Sequence, residues 1–156
     1  MLYLAANFFS ASRFVVHGNS MEPTFKHGQY FLVSRLAYRL AAPRRGDVVV
    51  LRDPWQQGKH DIKRIIGLPR EEISIHRALV LINGSPYVEP YLVDQSYSGY
   101  SYDLPCSLGE DEYWLMGDNR NNSRDSRAFG PLMGDRIVGK LWLCYWPREA
   151  WRIVSH

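Results

Sequence analysis

After residue 12 the apolar residues fall into short runs, each closed by glycine, proline or a polar turn. Phe14-Val15-Val16 leads into a loop at Gly18. Tyr30-Phe31-Leu32-Val33 follows Gly28, and Asp47-Val48-Val49-Val50-Leu51 follows Arg45-Gly46. Ile62 to Ile66 and Glu72 to Ile75 flank Gly67-Leu68-Pro69. Leu79-Val80-Leu81-Ile82 runs into Asn83-Gly84, a dipeptide suited to the two positive-φ positions of a tight hairpin turn. Tyr113-Trp114-Leu115-Met116 ends at Gly117. Ile137 to Trp146 ends at Pro147, which has no N–H to give a strand ladder. Many short β-branched and aromatic runs between turns predict a mostly β, barrel-like fold.

Two regions break the pattern. Tyr91 to Glu112 carries Tyr97, Tyr100 and Tyr102 among Ser, Gly and Asp, with Pro105 behind them. It is expected to be a long surface loop or small insertion, packed down by its own rings or serving as a binding surface. Residues 1–12 are apolar and uncharged until Arg13. They are fewer than the ~20 apolar residues that span a bilayer, and they lack the basic start of a signal peptide. Three readings stay open: the end of a membrane anchor, an interfacial segment, or an ordinary first helix. The expected organisation is therefore a short apolar segment, 1–12, before a β-rich catalytic domain, 13–156.

The chain has 156 residues, enough for one domain with a real core. Its net charge of +3 is small and its basic residues are interleaved with acidic ones, which argues against a nucleic-acid partner. The two cysteines, Cys106 and Cys144, have no metal-site spacing, and their bland reading is one buried and one loop thiol. There is no HExxH, so zinc-protease chemistry is not indicated, and no metal or cofactor is expected.

Chemistry concentrates in two stretches and one lysine. Gly18-Asn19-Ser20-Met21-Glu22-Pro23-Thr24 places a serine in a loop flanked by glycine and proline. Taken alone, Ser20 reads first as a turn serine bonding its own loop. Lys63 lies in Ile62-Lys63-Arg64-Ile65-Ile66, where strand alternation puts Lys63 and Ile65 on one face and Ile62, Arg64 and Ile66 on the other. A lysine amine is a base only when neutral, and an apolar wall lowers its pKa by desolvation. Taken alone, Lys63 reads first as a lysine on the solvent side of an edge strand. The dense polar run from Gly117 to Arg127, directly after an apolar strand, suggests a hydrogen-bonded loop at a site. His17 lies three residues before Ser20, which leaves a Ser–His arrangement conceivable.

Four ordered boxes carry a resemblance. Ser20-Met21-Glu22-Pro23-Thr24 resembles an SMxPT box, Arg45-Gly46-Asp47-Val48-Val49 an RGDVV box, Lys63 to Gly67 a KRxxG box, and Gly117 to Arg127 the pattern GDNRxxSxDSR. Phe129-Gly130-Pro131 continues the last box, and Asn83-Gly84 and Glu89-Pro90-Tyr91 fall between the last two. In this order, over residues 13 to 147, the chain resembles bacterial type I signal peptidase, the leader peptidase of the Ser–Lys serine protease family. The resemblance implies a serine endopeptidase that removes signal peptides from secreted preproteins through an acyl-enzyme. Ser20 would be the nucleophile, Lys63 the general base, and Ser123 the hydroxyl that orients the Lys63 amine. Asp118 would pair with Arg64, and Asp125 with Arg127. Gly18 stands where some members carry a serine, so the oxyanion would rest on backbone N–H groups, chiefly that of Ser20. Val16 and Met21 would line the shallow pockets for small substrate residues.

The implied partners are signal-peptide-bearing preproteins and membrane lipid. The implied place is the cytoplasmic membrane, with the catalytic domain on its extracytoplasmic face. Three alternatives stand beside this: a maturation peptidase dedicated to one precursor, a non-catalytic β-rich preprotein-binding module, and a self-cleaving repressor-type autopeptidase. The last needs an Ala-Gly or Cys-Gly cut site upstream of Ser20, and neither dipeptide occurs.

Overall fold

The structure is a computed structural model that describes residues 11–92 and 102–154, with only the backbone at 40 and 102–104. The apolar runs become strands: β1 Ala11–Val15, β2 Tyr30–Ser34, β3 Val48–Arg52, β4 His60–Gly67, β5 Glu72–His76 and β6 Leu79–Ile82. They continue as β7 Ser85–Pro86, β8 Tyr102–Ser107, β9 Glu112–Met116, β10 Leu132–Met133, β11 Ile137–Trp146 and β12 Arg152–Ile153. The strands form two antiparallel sheets. The larger runs β1-β2-β11-β3-β4-β9-β10, with β12 added to β11, and the smaller runs β7-β6-β5-β8.

The larger sheet does not close on itself, because β1 and β10 are its two edges. The expected barrel is thus a half-barrel. Register breaks near Leu141/Leu143, Cys144/Trp146, Ile137/Gly139 and Ile65/Gly67 supply the bends that curl such a sheet.

Both faces of the central strands are covered, which is why those strands are apolar without alternation. On β3, Val48 and Val50 join Val16, Met21, Phe25, Phe31 and Leu141 in one core, while Val49 and Leu51 join Ile65, Leu115 and Leu132 in another. On β9, Leu115 faces this second core. Trp114 and Met116 face a third, built with Ile66, Ile73, Ile75 and Val80 where the two sheets meet.

Asn83 and Gly84 both have positive φ, 51° and 76°, and Ile82 pairs with Ser85, so the predicted tight hairpin is present. The expected Tyr91–Glu112 loop holds a strand instead. β8 pairs with β5 and brings Cys106 opposite Ile73, so Cys106 is a strand thiol rather than a loop thiol. Pro105 is tolerated there because β8 is an edge. Tyr97 and Tyr100 fall outside the described residues, as do residues 1–10 of the apolar N-terminal segment; β1 already begins at Ala11. Both cysteines are free, and Cys144 is buried.

Candidate active site

Ser20 follows β1 in a loop wound back on itself. The Asn19 carbonyl accepts the Glu22 N–H at 3.1 Å, and the Met21 carbonyl accepts the Phe25 N–H at 2.8 Å. Met21 and Phe25 anchor the turn by lying wholly in the core, which leaves Ser20 at the surface of that packing. Gly18 enters the loop at φ +82°, a conformation that side chains with a Cβ resist. Its N–H donates to His27 Nδ1 at 3.1 Å, so it is already spoken for. The Ser20 N–H donates to no described residue.

Lys63 comes from β4, an interior strand between β3 and β9, so the edge-strand reading fails. Its Cα partner on β3 is Val49, and the side chain is buried, 2% exposed. Nζ lies 3.2 Å from Ser20 Oγ and donates to the Ile62 carbonyl at 3.2 Å. The nearest carboxylate, Asp61, is 3.9 Å away. Burial pulls the Lys63 pKa below the ordinary lysine range; Asp61, Asp125 and Asp53 act against that shift, and Arg124 acts with it.

The loop after β9 closes over this pair. The Ser20 carbonyl accepts the Asn119 N–H at 3.0 Å, and the Asn119 side-chain amide donates to the Asn19 carbonyl at 3.1 Å. Gly117 makes the approach possible. A Cβ there would lie 2.4 Å from the Ser20 carbonyl oxygen and 2.3 Å from Ser123 Oγ. The expected pairs are both present and buried. Arg64 grips Asp118 with Nε–Oδ1 at 2.9 Å and a second contact at 2.6 Å, and Arg127 grips Asp125 at 2.8 and 2.9 Å. Asp125 also accepts the Gly117 N–H at 3.0 Å.

The expected hydrogen bond from Ser123 to Lys63 is not formed here. Ser123 Oγ is buried, has no partner among the described residues, and packs against Gly117. His17 is exposed and lies edge-on to His27, with ring centroids 5.8 Å apart, and makes no hydrogen bond to Ser20. Val16 and Met21, 3% and 1% exposed, form part of the wall of a cleft of about 750 Å³. That cleft runs between β1 and the start of β4, with Ser20, Phe14, His60 and Ile62 along it.

The sequence did not reveal a third brace. Arg120 donates to both oxygens of buried Glu89, one at 2.8 Å, and its Nε donates to the Gly117 carbonyl at 3.0 Å. Tyr91 donates to Glu89 at 2.5 Å, and its ring lies 3.9 Å from the Arg64 guanidinium carbon. Glu89-Pro90-Tyr91 was visible as a motif, but nothing local names Arg120 as its partner.

A buried amine of depressed pKa beside a loop hydroxyl is an activated nucleophile by geometry. A family model described as signal peptidase, peptidase S26, matches residues 1–146. The chain is 34% identical over 153 residues to a probable signal peptidase I-2 of Synechocystis sp., covering 94% of this chain and 68% of that protein. It is 32% identical over 156 residues to signal peptidase IB of Staphylococcus aureus, covering 89% and 80%. A crystal structure of a signal peptidase I from Enterococcus faecalis superimposes with a TM-score of 0.55 at 29% identity, over 65% of this chain and 97% of that one.

Proposed function

As a member of the signal peptidase I family, peptidase S26, this chain is a serine endopeptidase that removes signal peptides, and we propose that Ser20 is its nucleophile and Lys63 its general base. The observation that carries the assignment is the 3.2 Å separation of Lys63 Nζ from Ser20 Oγ inside a buried environment. Neutral Lys63 takes the hydroxyl proton as Oγ attacks the carbonyl that ends the signal peptide. Negative charge then grows on the carbonyl oxygen. The Ser20 N–H, which has no other acceptor among the described residues, is the donor we assign to it, and Gly18 serves by its conformation rather than by its own N–H.

As the peptide bond breaks, the Lys63 ammonium returns its proton to the departing amine, leaving an ester on Ser20. The same amine next activates a water to release the signal peptide. We assign Ser123, whose Oγ is buried and uncommitted, to steady the amine during these proton transfers. The substrate we assign to the cleft is an extended peptide laid along β1. That strand is a free sheet edge and so offers unpaired backbone groups for strand addition. Val16 and Met21 would bound its small side chains.

The membrane setting belongs to this reading as well. No helix among the described residues is long and apolar enough to cross a membrane. We assign the residues before β1 to a membrane-proximal segment and those from Ala11 onward to the catalytic unit. The unit would face the extracytoplasmic side of the cytoplasmic membrane, where lipid and preprotein meet. Cleavage of a preprotein in detergent tests the chemistry. Ser20→Ala and Lys63→Ala are each expected to lose at least about a thousandfold in kcat, while His17→Ala keeps it. Substantial turnover by Lys63→Ala would reject the dyad.

A further inference from the structure

Asp53 directly follows β3, and its side chain is buried, 0% exposed. One oxygen accepts the N–H groups of Trp55 and Gln56 at 2.7 and 2.9 Å, and the Asp53 N–H closes the same turn on the Lys59 carbonyl at 2.9 Å. The other oxygen accepts from the guanidinium of Arg124, the residue after Ser123. Trp55 extends the link: its ring lies 5.1 Å from the Arg124 guanidinium carbon and 6.0 Å, edge-on, from Phe129. The turn 53–59 leads straight into β4 and supplies Gly58 and Lys59 to the substrate cleft.

We propose that Arg124 is a positioning residue for the cleavage reaction: it clamps the 53–59 turn to the loop carrying Ser123 and sets the charge that Lys63 faces. The proposal rests on Lys63 being the base. Asp61, beside it on β4, lies 3.9 Å from that amine, and the charges of Asp125 in the loop and Asp53 in the turn also favour its protonated form. Asp125 is matched by Arg127, and Asp53 by Arg124. Without Arg124, the Asp53 carboxylate would pull the amine toward its charged form. With Arg124, that pull is offset, and burial prevails in keeping the amine low. The clamp and the charge are one device, because the same guanidinium provides both.

The test is the pH dependence of kcat for preprotein cleavage, with thermal midpoints measured alongside. Arg124→Gln should move the acid limb to higher pH by roughly half a unit or more, and lower the kcat plateau above the limb about tenfold through loss of the clamp. Asp53→Asn should move the limb the opposite way, because the guanidinium then faces Lys63 alone. The double variant Asp53→Asn/Arg124→Gln should return the limb near the wild-type position while keeping the loss in kcat, and Arg124→Lys should hold the limb in place. A clamp with only a structural role would lower kcat and the thermal midpoint in both single variants without moving the limb, or would move it the same way in both; either result overturns the proposal. A wild-type profile without an acid limb would sink the Lys63 assignment itself, and the proposal with it.

Discussion

Lys63 and Arg64 are neighbours on β4 with opposite fates. Arg64 points to one face and is fully matched: two contacts to Asp118, one to the Gly46 carbonyl at 2.9 Å, and the face of Tyr91. Lys63 points to the other face and has a serine hydroxyl, one carbonyl and a carboxylate 3.9 Å away. Each is about equally buried, at 2% and 3% exposed. Burial alone therefore does not decide what a cation does. A guanidinium held by a planar carboxylate keeps its charge and braces the loop. An ammonium given poor partners is pushed toward the neutral form, and becomes a base. The strand uses alternation to put the rigid element and the reactive one back to back.

The comparison breaks most visibly if Lys63 is made to resemble its neighbour. Lys63→Arg keeps positive charge and length but cannot deprotonate near neutrality. Cleavage of a preprotein should fall by at least about a thousandfold, even if the fold is intact by circular dichroism. Turnover near wild type would mean that the amine is not the base.

The next effect concerns the matched side. Arg64→Met leaves Asp118 buried without its cation, and should cost about 3–5 kcal/mol in chemical denaturation. A loss under about 1 kcal/mol would show that Asp118 is satisfied without Arg64.

The smallest effect sharpens the contrast. Lys63→Met removes an amine whose burial opposes its charge, and should stabilise the fold by roughly 1–3 kcal/mol at neutral pH while destroying activity. The sign follows from linkage. Because the folded pKa is depressed, the unfolded chain binds the proton more tightly across the window between the depressed value and the ordinary one. Wild-type stability therefore rises with pH through that window. The Met variant's advantage should shrink as pH climbs toward the ordinary lysine range, and an advantage that is constant with pH would argue that Lys63 is not desolvated.

The strands were legible because each run ended at a strong turn residue, and the Lys63 face followed from strand alternation alone. Lys63 and Ser20 lie 43 residues apart, and nothing in either segment alone says that they meet; the ordered motifs supplied that link. The insertion of β11 between β2 and β3 left no local trace, since strand pairing depends on which distant edges are free. β8 was hidden because Pro105 and polar neighbours look like loop, and only its edge position makes the strand acceptable. Glu89 to Arg120 and Asp53 to Arg124 were invisible for a related reason. A charged residue carries no mark of whether it will be solvated or buried with a partner far along the chain. Ser123 was found as a residue, but the contact expected of it was not formed.

The pinch at Gly117 has a bearing on when the enzyme comes to life. It joins the Ser20 loop to residues about a hundred positions further along, with Asn119 reaching back to Asn19. A nascent chain that has emerged only as far as β4 already contains both the alcohol and the amine, but lacks the Gly117–Asn119 segment that ties down the far side of the alcohol's loop. On the proposed assignment, full ordering of the nucleophile loop awaits synthesis of the segment around Gly117 and Asn119.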